Sequence, residues 1–413
     1  MSAIANAASP SLRSELTEQW SVVFVAFLMM LFAFGVPTFA LPFVYAGAID
    51  EFGWTRQEAV TLASFKFYTA AVASLAVGRL LDLTDPKYLV ACCAAVGGIG
   101  MLSFYFADTL AIYYLVGVVL GFNSAGMAVA ANVIICRTFE RSTGTALGMT
   151  LAGTSTAGIL VPLVMAPMME SVGWRNTMIL MSAGIWFVAL PAWFYLMRQS
   201  NPIAEKLRNA SYSAAKTGMW SHFKALSATR NFWFIVIGIF LVSAVDQGLL
   251  QNQVLFLRNE AGLDLGMVAW GAALLAAIGV GSKIAFGWVY DRLSILGIVL
   301  CYLLLSISVG LAFAVTGIVT MLLFMTIRGL AHGGLIVDAP VLAKHYYGPQ
   351  NVGLNIGLFT LCMSVGFGFG PPLLAGMADR SGSYLGGFGI AVIASLIATA
   401  LLYPIKPRYW PSK

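Results

Sequence analysis

Three apolar stretches of this chain carry charges that an apolar environment tolerates poorly. Lys283 is the only charged residue among the 24 from Met267 to Tyr290. A lysine at the centre of a membrane helix costs about 2.5–3.5 kcal/mol, so it needs a partner or a task, and the task that suits an ammonium is to meet a negative charge. Asp246 stands in a second run, within Ala244-Val-Asp-Gln-Gly248. Beside Lys283 or Arg328 it would be ionised while a site is empty, and it could take a proton as an anion arrives or leaves. Arg328 and His332, in a third run, are four residues apart and share one face of a helix, which suits a carboxylate contact or a proton relay. Gln247, Gln251, Asn252 and Gln253 follow Asp246 as a polar run, with 247 and 251 one turn apart on a face that lipid would penalise and a water-filled cavity would accept. Asn123, in Gly121-Phe-Asn-Ser-Ala-Gly126, is the matching amide of the first half, and Phe34 is a candidate apolar wall.

The elements that position these residues are membrane helices. The chain has 413 residues, 60% hydrophobic and 10% charged, against about 25% charged for a soluble domain. A charge of +6 spread over loops is not a nucleic-acid stripe. Five cysteines lie in or beside apolar runs without metal-ligand spacing. No Walker motif, catalytic triad or metal cluster appears, so neither an enzyme nor a cofactor is expected.

Twelve apolar spans are predicted: 21–48, 57–81, 88–107, 109–136, 144–168, 174–197, 231–257, 266–290, 294–315, 317–343, 351–378 and 383–405. Residues 1–197 form a first six-helix half, 198–230 a polar connection and 231–413 a second half. With both termini inside, sixteen Lys/Arg fall on the cytoplasmic side and four outside, Arg56, Arg175, Arg258 and Arg380. That asymmetry orients a multi-pass protein of the cell's inner (plasma) membrane by the positive-inside rule. Lys66 lies within the second span, where snorkelling to the interface or lining a cavity would each explain it. Asp338 is assigned to a gate with Lys344.

The halves repeat each other at an offset of 209 residues. Gly78 and Asp82 recur as Gly287 and Asp291, Pro162 as Pro371, Glu170 as Asp379 and Gly173 as Gly382. Such a duplication is the signature of secondary transporters whose site lies near the midplane between the repeats. Gly78-Arg-Leu-Leu-Asp82-Leu-Thr-Asp85-Pro-Lys87 resembles the cytoplasmic loop motif of the major facilitator superfamily. Phe52-Gly-Trp-Thr-Arg56, Gly173-Trp-Arg175 and Gly370-Pro-Pro-Leu-Leu-Ala-Gly376 are similar to its monocarboxylate and oxalate–formate branch.

The resemblance implies an all-α fold of twelve helices in two pseudo-symmetric halves. It implies gating by Gly78, Asp82, Lys87 and Asp291, and it places at Lys283 a cation that binds a substrate carboxylate. An acid expected one turn earlier is replaced by Gly279. The expected function is alternating-access transport of a small organic anion, a monocarboxylate moved with H+, by a functional monomer in the lipid bilayer. Lys283, Arg328, Asn123, Gln247, Asn252 and Phe34 would bind substrate, and Asp246 and His332 would couple protons. Anion exchange of the oxalate–formate type is the alternative. Drug efflux and a non-transporting sensor rank lower, because buried cations outnumber buried acids and no signalling domain is evident.

Overall fold

The computed structural model describes residues 16–139, 143–198, 224, 226–347 and 352–408. Most of the expected connection 198–230 therefore lies outside the described residues. So do the surroundings of Gly78 and the side chains of Asp82, Asp291 and Lys344, and with them most of the expected gate.

Among the described residues, ten helical stretches are long and apolar enough to cross a bilayer. Two details bring them to twelve spans. One stretch of 51 residues, Ala146–Leu196, is broken at Gly173, whose φ of +78° ends one helix and begins the next, a conformation glycine adopts without steric cost. The helix Arg56–Leu83 completes the count; its 28 residues carry more charge than the others.

In chain order the spans are α1 (Trp20–Phe52), α2 (Arg56–Leu83), α3 (Pro86–Ser103), α4 (Leu110–Thr138), α5 (143–172) and α6 (174–196). The second half holds α7 (Arg230–Asn259), α8 (Leu265–Leu293), α9 (Ile295–Leu311), α10 (Ile318–Leu335), α11 (Val352–Ser381) and α12 (Leu385–Leu402). A short helix, Asp338–Tyr347, continues α10 after a turn.

Local chemistry sets the helix starts. Thr55 and Glu58 form a reciprocal capping box at α2. Asp85 caps α3 ahead of Pro86, and Asp264 caps α8 through the Met267 N–H. Each supplies an acceptor to backbone donors that a helix start leaves unsatisfied.

The duplication is visible in the backbone. Gly53 and Gly262 have φ of +67° and +65°, and Gly173 and Gly382 both have φ of +78°; each pair is separated by the same 209 residues. All four lie at the end of the bundle that carries Asp50. There Glu51 accepts from Trp174 Nε1 and Arg175, while its counterpart Glu260 accepts from Ser383 Oγ and the Tyr384 N–H. Helix packing repeats too. Gly121 of α4 lies against the Lys66 carbonyl of α2, and Gly329 of α10 lies against the Leu275 carbonyl of α8. A side chain at either glycine would strike that backbone, the reason small residues mark close membrane-helix contacts.

The halves meet where α2 packs on α11, α5 on α8 and α1 on α7. At the Asp50 end they are clasped by polar contacts. The Asp379 carboxylate accepts from the Arg56 and Gln57 N–H groups at 3.1 and 2.7 Å, Asp50 pairs with Arg258 at 2.7 Å, and Arg56 pairs with Glu260 at 3.5 Å.

Candidate functional site

The polar face predicted after Asp246 is real, and it points inward: Asp246, Gln247, Gln251, Asn252 and Gln253 are all buried on α7. Opposite them on α10 stand Arg328 and His332, on one face as their spacing requires. Arg328 Nη2 meets Asp246 Oδ1 at 2.7 Å and also donates to the Asp246 main-chain carbonyl at 2.6 Å. His332 Nδ1 lies 2.9 Å from Asp246 Oδ2 and 3.0 Å from Oδ1. An ionised carboxylate only accepts, so the Nδ1 that faces it carries the hydrogen. Asp246 thus joins both α10 side chains, while Arg328 Nε and Nη1 have no hydrogen-bond partner among the described residues.

Lys283 is placed differently. It is half-buried on α8, and its Nζ donates to Ser155 Oγ of α5 at 3.1 Å, across the contact between the halves. Among the described residues no carboxylate lies within ion-pair distance of it. Gly279, one turn earlier, is buried beside the Gly329 carbonyl of α10. A carboxylate there would face helix backbone, and α10 instead receives its carboxylate from α7. Of the two cations offered for Asp246 by the sequence, the structure selects Arg328.

Several expected ligands have other roles. Asn123 is fully buried and donates from Nδ2 to the Ala33 carbonyl at 2.6 Å. Ala33 lies in the π-helical segment Met29–Gly35 of α1, where the wider turn displaces carbonyls from the regular ladder. Asn252 Nδ2 donates to the Gly248 and Pro371 carbonyls, and its Oδ1 accepts from the Tyr384 hydroxyl at 2.9 Å. Both amides tie helices together, and Asn123 Oδ1 has no hydrogen-bond partner among the described residues. Gln247 accepts from Gln251 Nε2, and Gln251 Oε1 accepts from the Tyr45 hydroxyl of α1 at 2.9 Å. That chain links the halves and keeps Gln247 a candidate. Phe34 is half-buried against the apolar core.

Lys66 does not snorkel. It is 1% exposed, and its Nζ donates to Thr38 Oγ1 at 2.9 Å. Lys87 has its N–H accepted by Asp85 and its carbonyl engaged by Trp193 Nε1, contacts within the first half. A crevice of about 280 Å³ is apolar and opens between α1, α5 and α6, away from the charged cluster. Ser155 and Tyr45 are inter-half partners that sequence reasoning missed. Neither carries a charge or a motif that would have singled it out.

A family model of the Major Facilitator Superfamily matches residues 22–314 and 294–411. The chain belongs to the major facilitator superfamily. Along 94% of its length this superfamily member is 26% identical to "Monocarboxylate transporter 10" of Danio rerio, covering 77% of that protein. It is 25% identical to "Monocarboxylate transporter 11" of Homo sapiens, over 95% of this chain and 84% of that one. It is also 25% identical to the "4-hydroxybenzoate transporter PcaK" of Pseudomonas putida, over 94% and 90%. Among solved structures, a bacterial homologue of the human lysosomal transporter Spinster, in an inward-facing and occupied conformation, superposes with a TM-score of 0.74 at 17% identity over 96% of this chain and 97% of that one. The nucleoside transporter NupG gives 0.72 at 15% over 93% and 99%. The protein is therefore a multi-pass membrane transporter of the major facilitator fold, similar to the monocarboxylate branch.

Proposed function

We propose that this transporter carries a small organic monocarboxylate together with a proton by alternating access of its two halves. One observation carries the reading. Lys283 reaches across the halves to a neutral hydroxyl and has no carboxylate partner among the described residues, whereas Arg328 is held by Asp246. A substrate carboxylate replacing Ser155 at Lys283 would neutralise the ammonium where the halves meet, so that the loaded carrier can rearrange without an exposed charge. His332 Nε2 and the Asp246 carboxylate are the proton acceptors, and Gln247 and Phe34 border the substrate. Relatives named for monocarboxylates and for 4-hydroxybenzoate support an organic anion. In this reading the Asp50 end faces outward in the plasma membrane, both termini are cytoplasmic and the monomer is the working unit.

Exchange involving a dicarboxylate is the second reading, favoured by the unpartnered Nε and Nη1 of Arg328, which a second carboxylate could engage. Uptake of labelled lactate, pyruvate, benzoate, 4-hydroxybenzoate and oxalate into proteoliposomes separates the two. Symport predicts stimulation by an inward proton gradient. A gradient without effect, combined with stimulation by internal anion, selects exchange.

A further inference from the structure

Asp338 has no task in the site described so far, yet it is 1% exposed at the start of the short helix that continues α10. Its Oδ2 accepts from the Tyr302 hydroxyl of α9 at 2.8 Å, and its Oδ1 has no hydrogen-bond partner among the described residues. Both Asp338 and Asp246 line a cavity of about 10 Å³, together with Ser243, Leu335, Met363 and Phe367. That volume is room for one water molecule.

The groups around Asp338 decide its charge. On α9 they are Tyr302 and Cys301, on α8 Tyr290, whose hydroxyl is bonded to the Gly334 carbonyl, and on α7 Asp246. The α11 wall is apolar, Arg328 and His332 of α10 are held by Asp246, and the Lys344 side chain lies outside the described residues. The Tyr302 hydroxyl and the nearby backbone N–H groups of Asp338 and Ala339 favour an ionised carboxylate, but burial outweighs them and leaves Oδ1 orphaned. A neutral carboxyl fits these surroundings: Oδ2 accepts from Tyr302, and Oδ1–H donates into the cavity.

We propose that Asp338 is a second proton site of the carrier, exchanging the coupling proton with Asp246 through one water in this cavity. The Oδ1–H bond of Asp338 breaks as its proton passes to the water, and the water gives one of its own protons to a carboxylate oxygen of Asp246. Asp338 is left ionised and Asp246 neutral, with the water unchanged. The return of Asp338 to its neutral form draws a proton from the end of the bundle opposite Asp50. The inference rests on the proton-coupled reading above.

The test combines transport with infrared spectroscopy of the purified full-length protein. Asp338→Asn is expected to keep exchange of internal for external labelled anion, which shows that it folds, and to lose gradient-driven accumulation by at least about tenfold. In the wild-type protein at neutral pH, a protonated-carboxyl C=O band is expected that the variant lacks and that shifts when lactate or 4-hydroxybenzoate is added. Gradient-driven accumulation in Asp338→Asn equal to wild type overturns the proposal, as does a wild-type band that neither the substitution nor substrate alters. A wild-type carrier insensitive to the gradient overturns the symport reading, and a carboxyl band from Asp338 would still be seen in that case. If Asp338→Asn neither folds nor exchanges, the response of the wild-type band to substrate decides.

Discussion

Arg328 Nη2 and Asp246 Oδ1 meet at 2.7 Å between side chains that are 1% and 3% exposed. A buried pair of this kind gains little over an apolar pair of similar volume, but either charge left alone is strongly unfavourable. Asp246→Asn is therefore expected to destabilise the carrier by about 3–5 kcal/mol, and Asp246→Leu combined with Arg328→Met to recover most of that loss. Unfolding in detergent of the single and double variants checks it. A double variant as unstable as the single one would show that the loss does not come from the arginine left unpaired.

Lys283 stands apart because its partner is a hydroxyl. Lys283→Gln is expected to leave thermal stability nearly unchanged while abolishing uptake, since a hydrogen bond from a charged group contributes about 1.5–3 kcal/mol and a lysine in a membrane helix costs about 2.5–3.5 kcal/mol. Ser155→Ala should retain uptake, because the substrate carboxylate replaces Ser155 at the ammonium. Normal uptake by Lys283→Gln would remove Lys283 from the binding site.

Lys66 is a buried ammonium whose one described hydrogen bond goes to Thr38. Lys66→Met keeps the apolar stem and removes the burial penalty, so it is expected to stabilise the fold by up to about 2.5–3.5 kcal/mol. A lowered unfolding midpoint would mean that the amine contributes more than it costs.

The clasp at the Asp50 end holds the halves together through Asp379 and the start of α2. Asp379 is exposed, which limits what the contact contributes. Ser64 of α2 is buried against the Gly368 carbonyl of α11, and Asp379→Ala is expected to raise the rate at which an impermeant maleimide labels Ser64→Cys, with the five native cysteines replaced, by about threefold. Unchanged labelling would mean that Asp50–Arg258 and Arg56–Glu260 suffice.

Much of the architecture was readable in the chain because the signals are local. The offset that pairs Gly173 with Gly382 by residue type pairs them again by backbone conformation, because only glycine holds that φ without strain. It also joins Gly53 to Gly262, and Glu51 to Glu260. The polar face after Asp246 was readable for a similar reason: amides and acids in a membrane helix must turn inward. Asn123 and Asn252 satisfied that rule too, yet both hydrogen-bond other helices. An inward-facing amide serves packing or substrate equally well, and its spacing along the chain does not distinguish the two.

By itself the sequence determined the number of spans, their duplication and the inward polar face after Asp246, because each can be read from composition and spacing along the chain. Only the tertiary structure decided which buried charges meet. Asp246 and Arg328 are joined, Lys283 faces Ser155 across the halves, Lys66 is enclosed, and Asp338 shares a water-sized cavity with Asp246. Charge pairing falls steeply with distance in a medium of low dielectric. Whether a lysine is paired or open to a substrate therefore depends on the packing of α5 on α8 and of α7 beside α10, contacts between segments far apart in the chain.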